Sequence, residues 1–375
     1  MERFLPRILS ACILYTLWTC RKAFLTQRRF APSQSIISER LIFSHRARAA
    51  WFYACCFFAL LQGLTGSRGP CLLIAGWCLL TLLADRYLCS PHLVHFMIAS
   101  AALHLPDSEG ALVLDAYSAV LYTFAGLQKW NAAFAGGFVA DVLSALVHRA
   151  CGGLRLEKAL SAPLQRRLGY AAAATEAGLG VALLVCTRRA YAGVALLHVV
   201  ILLIYGPLGL ASSEGVYGWN LWCLAWAMFG VGRRGEPLLA HLARRPHLAL
   251  FMLVCSLPPT TSLLCAFGER LSMKMHSQNA QGWRFLVRVA AGRPLARAEG
   301  GVFPAELLPF LEPMGGAAET AEPLYRVLNV NLQAHLIATA YLMPTLSART
   351  AGSLARLLEK ELGVPVALEL RSSAD

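Results

Sequence analysis

The chain has 375 residues, 57% of them hydrophobic and only 15% charged, with a mean hydropathy of +0.53. Soluble domains carry about 25% charged residues, so a water-soluble globular fold is excluded. The formal net charge of +13 comes largely as short pairs between apolar runs, such as Arg28-Arg29, Arg166-Arg167, Arg188-Arg189 and Arg244-Arg245. Pairs so placed face lipid headgroups. A nucleic-acid surface needs one continuous basic stripe, and nucleic acid is set aside as a partner.

The first apolar run, ILSACILYTLWTC (8–20), follows Arg3 and Arg7 and is succeeded by Arg21-Lys22 rather than by a small-residue cleavage site. It reads as an uncleaved anchor or short first span. A basic, Ser-rich stretch closes this N-terminal unit at residue 48. Apolar runs follow at about 49–65, 71–84, 92–105, 111–128, 169–187, 190–210, 216–232 and 247–267. Several fall short of the ~20 residues that cross a hydrocarbon core, which predicts short or tilted helices packed against one another. Helices are the expected element because backbone groups in lipid must be satisfied internally, and the ~10-residue alternation of a β-barrel is missing. The segment 131–148 is apolar and rich in small residues but carries Asp141, and whether it crosses decides the topology.

Beyond residue 267 the texture turns polar and glycine-punctuated. WRFLVRV (283–289) and VPVALELR (364–371) read as strands, and GSLARLLEKELG (352–363) as an amphipathic helix with a glycine stop. The expected fold is thus an all-α polytopic membrane bundle of about eight to ten spans over 49–267, with a small α+β extramembrane appendage over 268–375. Twelve cysteines show no zinc spacing, so no metal site is expected. Most lie in apolar runs and behave as small hydrophobes, while Cys71, Cys89 and Cys151 lie near loops where pairing is open.

Ionisable groups in or beside spans are expensive and carry the functional information. They are Asp85, His92, His95, Asp115, Lys129, Asp141, Glu176 and His198. Asp85 beside Arg86 also suits a helix end, His92 and His95 suit packed histidines, and Glu176 and Asp141 suit pairing with helix-end arginines. Lys129 has two readings. Desolvation lowers the basicity of a lysine and makes it a general base; alternatively its ammonium snorkels to the interface beside Trp130.

The stretch YTFAGLQKWNAAF (122–134) resembles the lysine-bearing helix of the vitamin K-dependent gamma-carboxylase-like family, also called the horizontally transferred transmembrane (HTTM) domain family. Lys129 keeps the second lysine of that motif and Tyr122 its tyrosine. Gln128 stands for the first lysine, Asn131 and Ala133 for aspartates, and Phe134 for tryptophan. LLADRYLCSPHLVHFMIAS (82–100) is similar to a second family segment, with Asp85 and His92 keeping its separation, and His198 looks like a histidine of a later helix. LSMKMHSQNAQG (271–282), GVFPAEL (301–307) and 355–375 resemble its extramembrane pieces.

The resemblance implies Lys129 as base and His92 as supporting donor, with Asp85, Tyr122, Asn131 and His198 around them. It also implies reduced vitamin K or a related quinol as the lipid-soluble reductant. The chain ends where the carboxylase continues into a large lumenal domain, which argues against a protein substrate. The alternative is a non-enzymatic membrane scaffold or lipid- or isoprenoid-binding protein that keeps only the fold. Membrane lipid is the expected partner in either case. A multi-pass location in a bacterial inner membrane or the endoplasmic reticulum follows.

Overall fold

The computed structural model describes residues 4–25, 45–84, 91–144, 147, 156–185, 187–205, 214–232 and 236–265. It also describes Glu359 and four strands at 283–289, 311–313, 324–327 and 366–372. Every apolar run of the sequence is helical: α1 Phe4–Leu25, α2 His45–Thr65, α3 Gly69–Ala84, α4 Pro91–His104 and α5 Asp107–Gln128. Then come α6 Ala132–Phe138, a π-helical turn Val139–Leu143, and α7 Leu156–Ala159. After these follow α8 Ala162–Val185, α9 Thr187–Tyr205, α10 Glu214–Gly232, α11 Leu238–Arg244 and α12 Pro246–Cys265. Three helices, α2, α5 and α8, are long and apolar enough to cross a membrane. A fourth span results if α11 and α12, which meet at 112°, act as one broken span.

Side-chain contacts set the directions of the helices. Gln62 Nε2 donates to the Pro6 carbonyl (2.8 Å), and the Ser10 hydroxyl to the Ala59 carbonyl, so α1 and α2 run antiparallel. Trp77 Nε1 reaches the Trp51 carbonyl (2.8 Å), and Trp51 Nε1 reaches Thr81 (2.7 Å), which does the same for α2 and α3. His95 meets Tyr117 across the α4–α5 hairpin. The α5 partners in α9 rise together, Asp115 with Tyr191 and Tyr122 with His198, so these two helices are parallel.

Helices α5 and α8 pack antiparallel at backbone distance. A Cβ on Gly126 would lie within the Ala173 and Ala177 backbone, and one on Gly180 within that of Ala119 and Thr123. This is how membrane helices associate: with no hydrophobic drive between them in lipid, small residues let backbones approach. Gly169 makes the same approach to Ala135 of α6. Because α8 starts beside α6 and pairs back along α5, the segment after α5 returns on the side where α5 ended. Residues 131–148 therefore do not cross the bundle. Among the described residues, Arg21, Arg46, Arg48 and 156–168 border one face, and Arg188, Arg189 and 236–245 the other.

The core is one apolar cluster holding Leu9, Ile13, Phe96, Leu183 and Trp222. Many large apolar side chains instead point outward, among them Leu64, Leu196, Met228 and Leu250, as a lipid-facing surface requires. The thiols Cys12, Cys55, Cys78 and Cys223 are buried as packing groups. Cys71 is a free, buried thiol, and Cys89 and Cys151 lie outside the described residues.

Trp283–Val289 and Val366–Ser372 are strands, as their alternation predicts. They pair antiparallel in a four-stranded sheet ordered 311–313, 324–327, 283–289, 366–372. The helix expected at 352–363 and the family-like stretches at 271–282 and 301–307 lie outside the described residues, apart from helical Glu359.

Replacing Gly126 with leucine forces the α5 and α8 backbones apart. It should cost about 1–3 kcal/mol and lower the thermal midpoint in detergent. Gly178→Leu on α8, where a side chain meets open space, should leave the midpoint unchanged.

Candidate functional site

The chemistry of the bundle is strung along α5. Asp115, Tyr122 and Lys129 recur every seven residues, about two helical turns, and each engages a different polar partner. Asp115 Oδ1 accepts from the Tyr191 hydroxyl at 2.5 Å, and that hydroxyl accepts from Trp226 Nε1 at 2.9 Å. One rung thus ties α5, α9 and α10. The second rung ties the same helices: the Tyr122 hydroxyl meets His198 Nε2 at 2.6 Å, and His198 Nδ1 meets Asn220 Oδ1 at 2.7 Å. An amide oxygen only accepts, so the ring proton sits on Nδ1 and Tyr122 donates to Nε2. All six side chains are buried.

Lys129 is the C-cap of α5, with φ −79° and ψ −6°. Its ammonium donates to Glu176 Oε2 of α8, and both side chains are 14% exposed. The sequence suggests helix-end arginines as partners for Glu176; its partner is instead Lys129. The interfacial position beside Trp130 goes to Trp130 alone, which is exposed and rests on the Tyr170 ring. Asn131 N-caps α6 by accepting from the Phe134 amide at 2.8 Å and donates to the Gln128 carbonyl at 3.0 Å. It serves the turn that follows Lys129.

His92 belongs to a different cluster. It lies beside His95 (ring centroids 6.5 Å apart), which bonds Tyr117 and stacks on Trp219 at 4.6 Å. Tyr117 precedes Lys129 by twelve residues, about 18 Å of helix rise. His92 is only one turn beyond His95 in that direction, so the two sequence-predicted catalytic groups do not converge. Asp85 lies outside the described residues, as does the side chain of Asp141. The structure joins Tyr122 to His198 and Lys129 to Glu176. It adds Asn220, Tyr191 and Trp226, which the sequence reading does not single out. The seven-residue recurrence of Asp115-Tyr122-Lys129 in α5 and of Tyr191-His198 in α9 is the signal that exposes them. Among the described residues no group of His, Cys, Asp or Glu is arranged to hold a metal ion.

At the opposite end of α5 lies a half-open cleft of about 670 Å³. Most of its lining side chains are apolar, among them Leu5 of α1, Ala102 of α4, Leu114 of α5 and Phe229 of α10, with Trp226 shared with the first polar rung. Arg68, in the α2–α3 connection, is ion-paired with Asp107 at the mouth, and His104 Nδ1 lies 3.1 Å from the Arg68 carbonyl oxygen. Arg245, at the α11–α12 bend, pairs with Glu109 on the same turn of α5.

Comparison with protein-family models, curated proteins and solved structures found no match.

Removing one member of the Lys129–Glu176 pair strands the other in a mostly buried site. Lys129→Ala and Glu176→Gln should each cost roughly 2 kcal/mol or more, while Lys129→Met/Glu176→Leu should recover much of the loss. Thermal midpoints of the four proteins in one detergent check both expectations.

Proposed function

We propose that this is a multi-pass membrane protein that binds a membrane lipid or isoprenoid in the cleft between α1, α4, α5 and α10. It is the non-enzymatic reading of the sequence. The observation that supports it is the cleft itself: about 670 Å³, lined mainly by apolar side chains together with Arg68 and Asp107, within the size range of sites that bury small ligands. The polar groups of α5 are meanwhile committed to helix–helix contacts. In this reading the nine described apolar helices of α1–α5, α8–α10 and α12 all cross the bilayer, the shorter ones in locally thinned lipid. Residues 268–375 form the small extramembrane unit, in a bacterial inner membrane or the endoplasmic reticulum.

A second reading rests on the family resemblance around Lys129 and on the buried Tyr122–His198–Asn220 chain two turns before it. There the Lys129–Glu176 pair takes a proton from a quinol-type reductant, as the carboxylase-like motif implies. It requires the ion pair to open for substrate and proceeds without His92 beside the lysine. The first reading needs no such rearrangement.

Native mass spectrometry of the detergent-purified protein tests the first reading. Leu114→Trp fills the cleft and should reduce retained lipid at least fivefold with the fold intact; unchanged lipid retention would overturn it. Vitamin K hydroquinone oxidation in nanodiscs tests the second. Turnover by the wild type that is lost in folded Lys129→Ala would make the protein a quinol-oxidising enzyme.

A further inference from the structure

The two charged residues lining the cleft are Arg68 and Asp107, one cation and one anion, held together at its mouth. Resting on the lipid-binding reading, we propose that the cleft selects a zwitterionic phospholipid whose headgroup joins a phosphate to a primary ammonium. The phosphate takes the Arg68 guanidinium, the ammonium takes the Asp107 carboxylate, and an acyl chain fills the apolar chamber beneath.

Charge balance carries the argument. A purely anionic headgroup gains Arg68 but meets Asp107, a like charge already at the mouth. A purely cationic one gains Asp107 and meets Arg68. A headgroup with both signs replaces the existing ion pair by two, with no charge left over. The exchange is cheap because the side chains of Arg68 and Asp107 are 33% and 50% exposed, and exposed ion pairs contribute about 0–1 kcal/mol.

Arginine presents a planar fork that matches phosphate oxygens two at a time. A primary ammonium offers three N–H donors to a carboxylate, whereas a quaternary ammonium offers none, which favours ethanolamine over choline. The depth order also fits. The charged pair sits where α2 meets α3 and where α4 meets α5, at headgroup level, while Leu114, Trp226 and Phe229 lie further along their helices. Trp226 Nε1 is already given to Tyr191, so its indole meets the ligand as an apolar face. Arg245 and Glu109 pair across the α11–α12 bend and hold α12 on α5 without taking the headgroup.

The test uses the full chain in detergent, titrated with dioleoyl phosphatidylethanolamine, phosphatidylcholine or phosphatidylglycerol and read by native mass spectrometry. The wild type should retain the ethanolamine lipid at least fivefold over the glycerol lipid. Asp107→Asn should erase or reverse that preference, and Arg68→Ala should weaken both phospholipids together. Leu114→Trp, with the milder Ala111→Leu in case tryptophan disturbs folding, should release all three lipids.

Headgroup-blind binding that still disappears in the cleft-filling variants would overturn the selectivity and leave the lipid-binding reading standing. Binding that ignores the cleft-filling variants would overturn both. A headgroup preference that persists in Asp107→Asn and Arg68→Ala would place the selecting groups elsewhere and overturn the proposal.

Discussion

Inside a bilayer no water completes an unfinished hydrogen bond, and each polar group left without a partner costs several kcal/mol. The α5 helix, long and apolar enough to cross one, carries Asp115 and Tyr122 on its buried face and Lys129 at its C-cap, and the surrounding helices supply their partners at three fixed heights. Helices α9 and α10 answer the first two with Tyr191-Trp226 and His198-Asn220, and α8 answers the third with Glu176. Sliding α9 by one turn would break both of its rungs together. Apolar packing between membrane helices discriminates poorly among registers because lipid is as apolar as leucine. The rungs supply the discrimination, and Gly126 and Gly180 let α8 come close enough for Glu176 to reach Lys129.

Much of this was legible in the sequence. Composition points to a helical bundle with helices apolar enough to cross a membrane, and each apolar run holds a helix among the described residues, although α8 begins at Ala162, well before its expected start. The strand at 283–289 coincides with its alternating pattern. The non-crossing segment after α5 was not legible, because its small apolar residues resemble a span. The close approaches of Gly126 and Gly180 place α8 back alongside α5, and that of Gly169 to Ala135 places its start beside α6. Tyr122 and His198 were singled out in the sequence, and the structure joins them to each other. His92 and Lys129 were singled out together and are not joined: residue spacing reveals which groups share a helix face, whereas the meeting of α4 with α5 depends on where the hairpin turns at Pro106. The Glu176 partner was misjudged for a related reason, since an acid mid-helix says nothing about which helix it will face.

The structural economy of α5 also separates the two ends of the bundle. Toward its C-terminus the polar side chains are spent on neighbours: Lys129 on Glu176, Asn131 on the following turn, Tyr122 on His198. A base so engaged must lose an ion pair before it can meet a substrate. Toward its N-terminus the charges belong to exposed pairs, Arg68 with Asp107, at a cleft lined mainly by apolar side chains.

Ligand exchange favours the second arrangement. Opening a mostly buried pair exposes two charges to a medium that cannot solvate them, a cost of several kcal/mol per ion, whereas an exposed pair trades partners for about 1 kcal/mol or less. The rungs and the cleft meet at Trp226, which bonds Tyr191 through Nε1 and also lines the cleft. A ligand in the chamber therefore rests directly on the residue that closes the Asp115 rung. The register of α5, α9 and α10 gives that wall a fixed shape, so the helix-locking chemistry of the interior and the fit of the cleft are one requirement on the sequence.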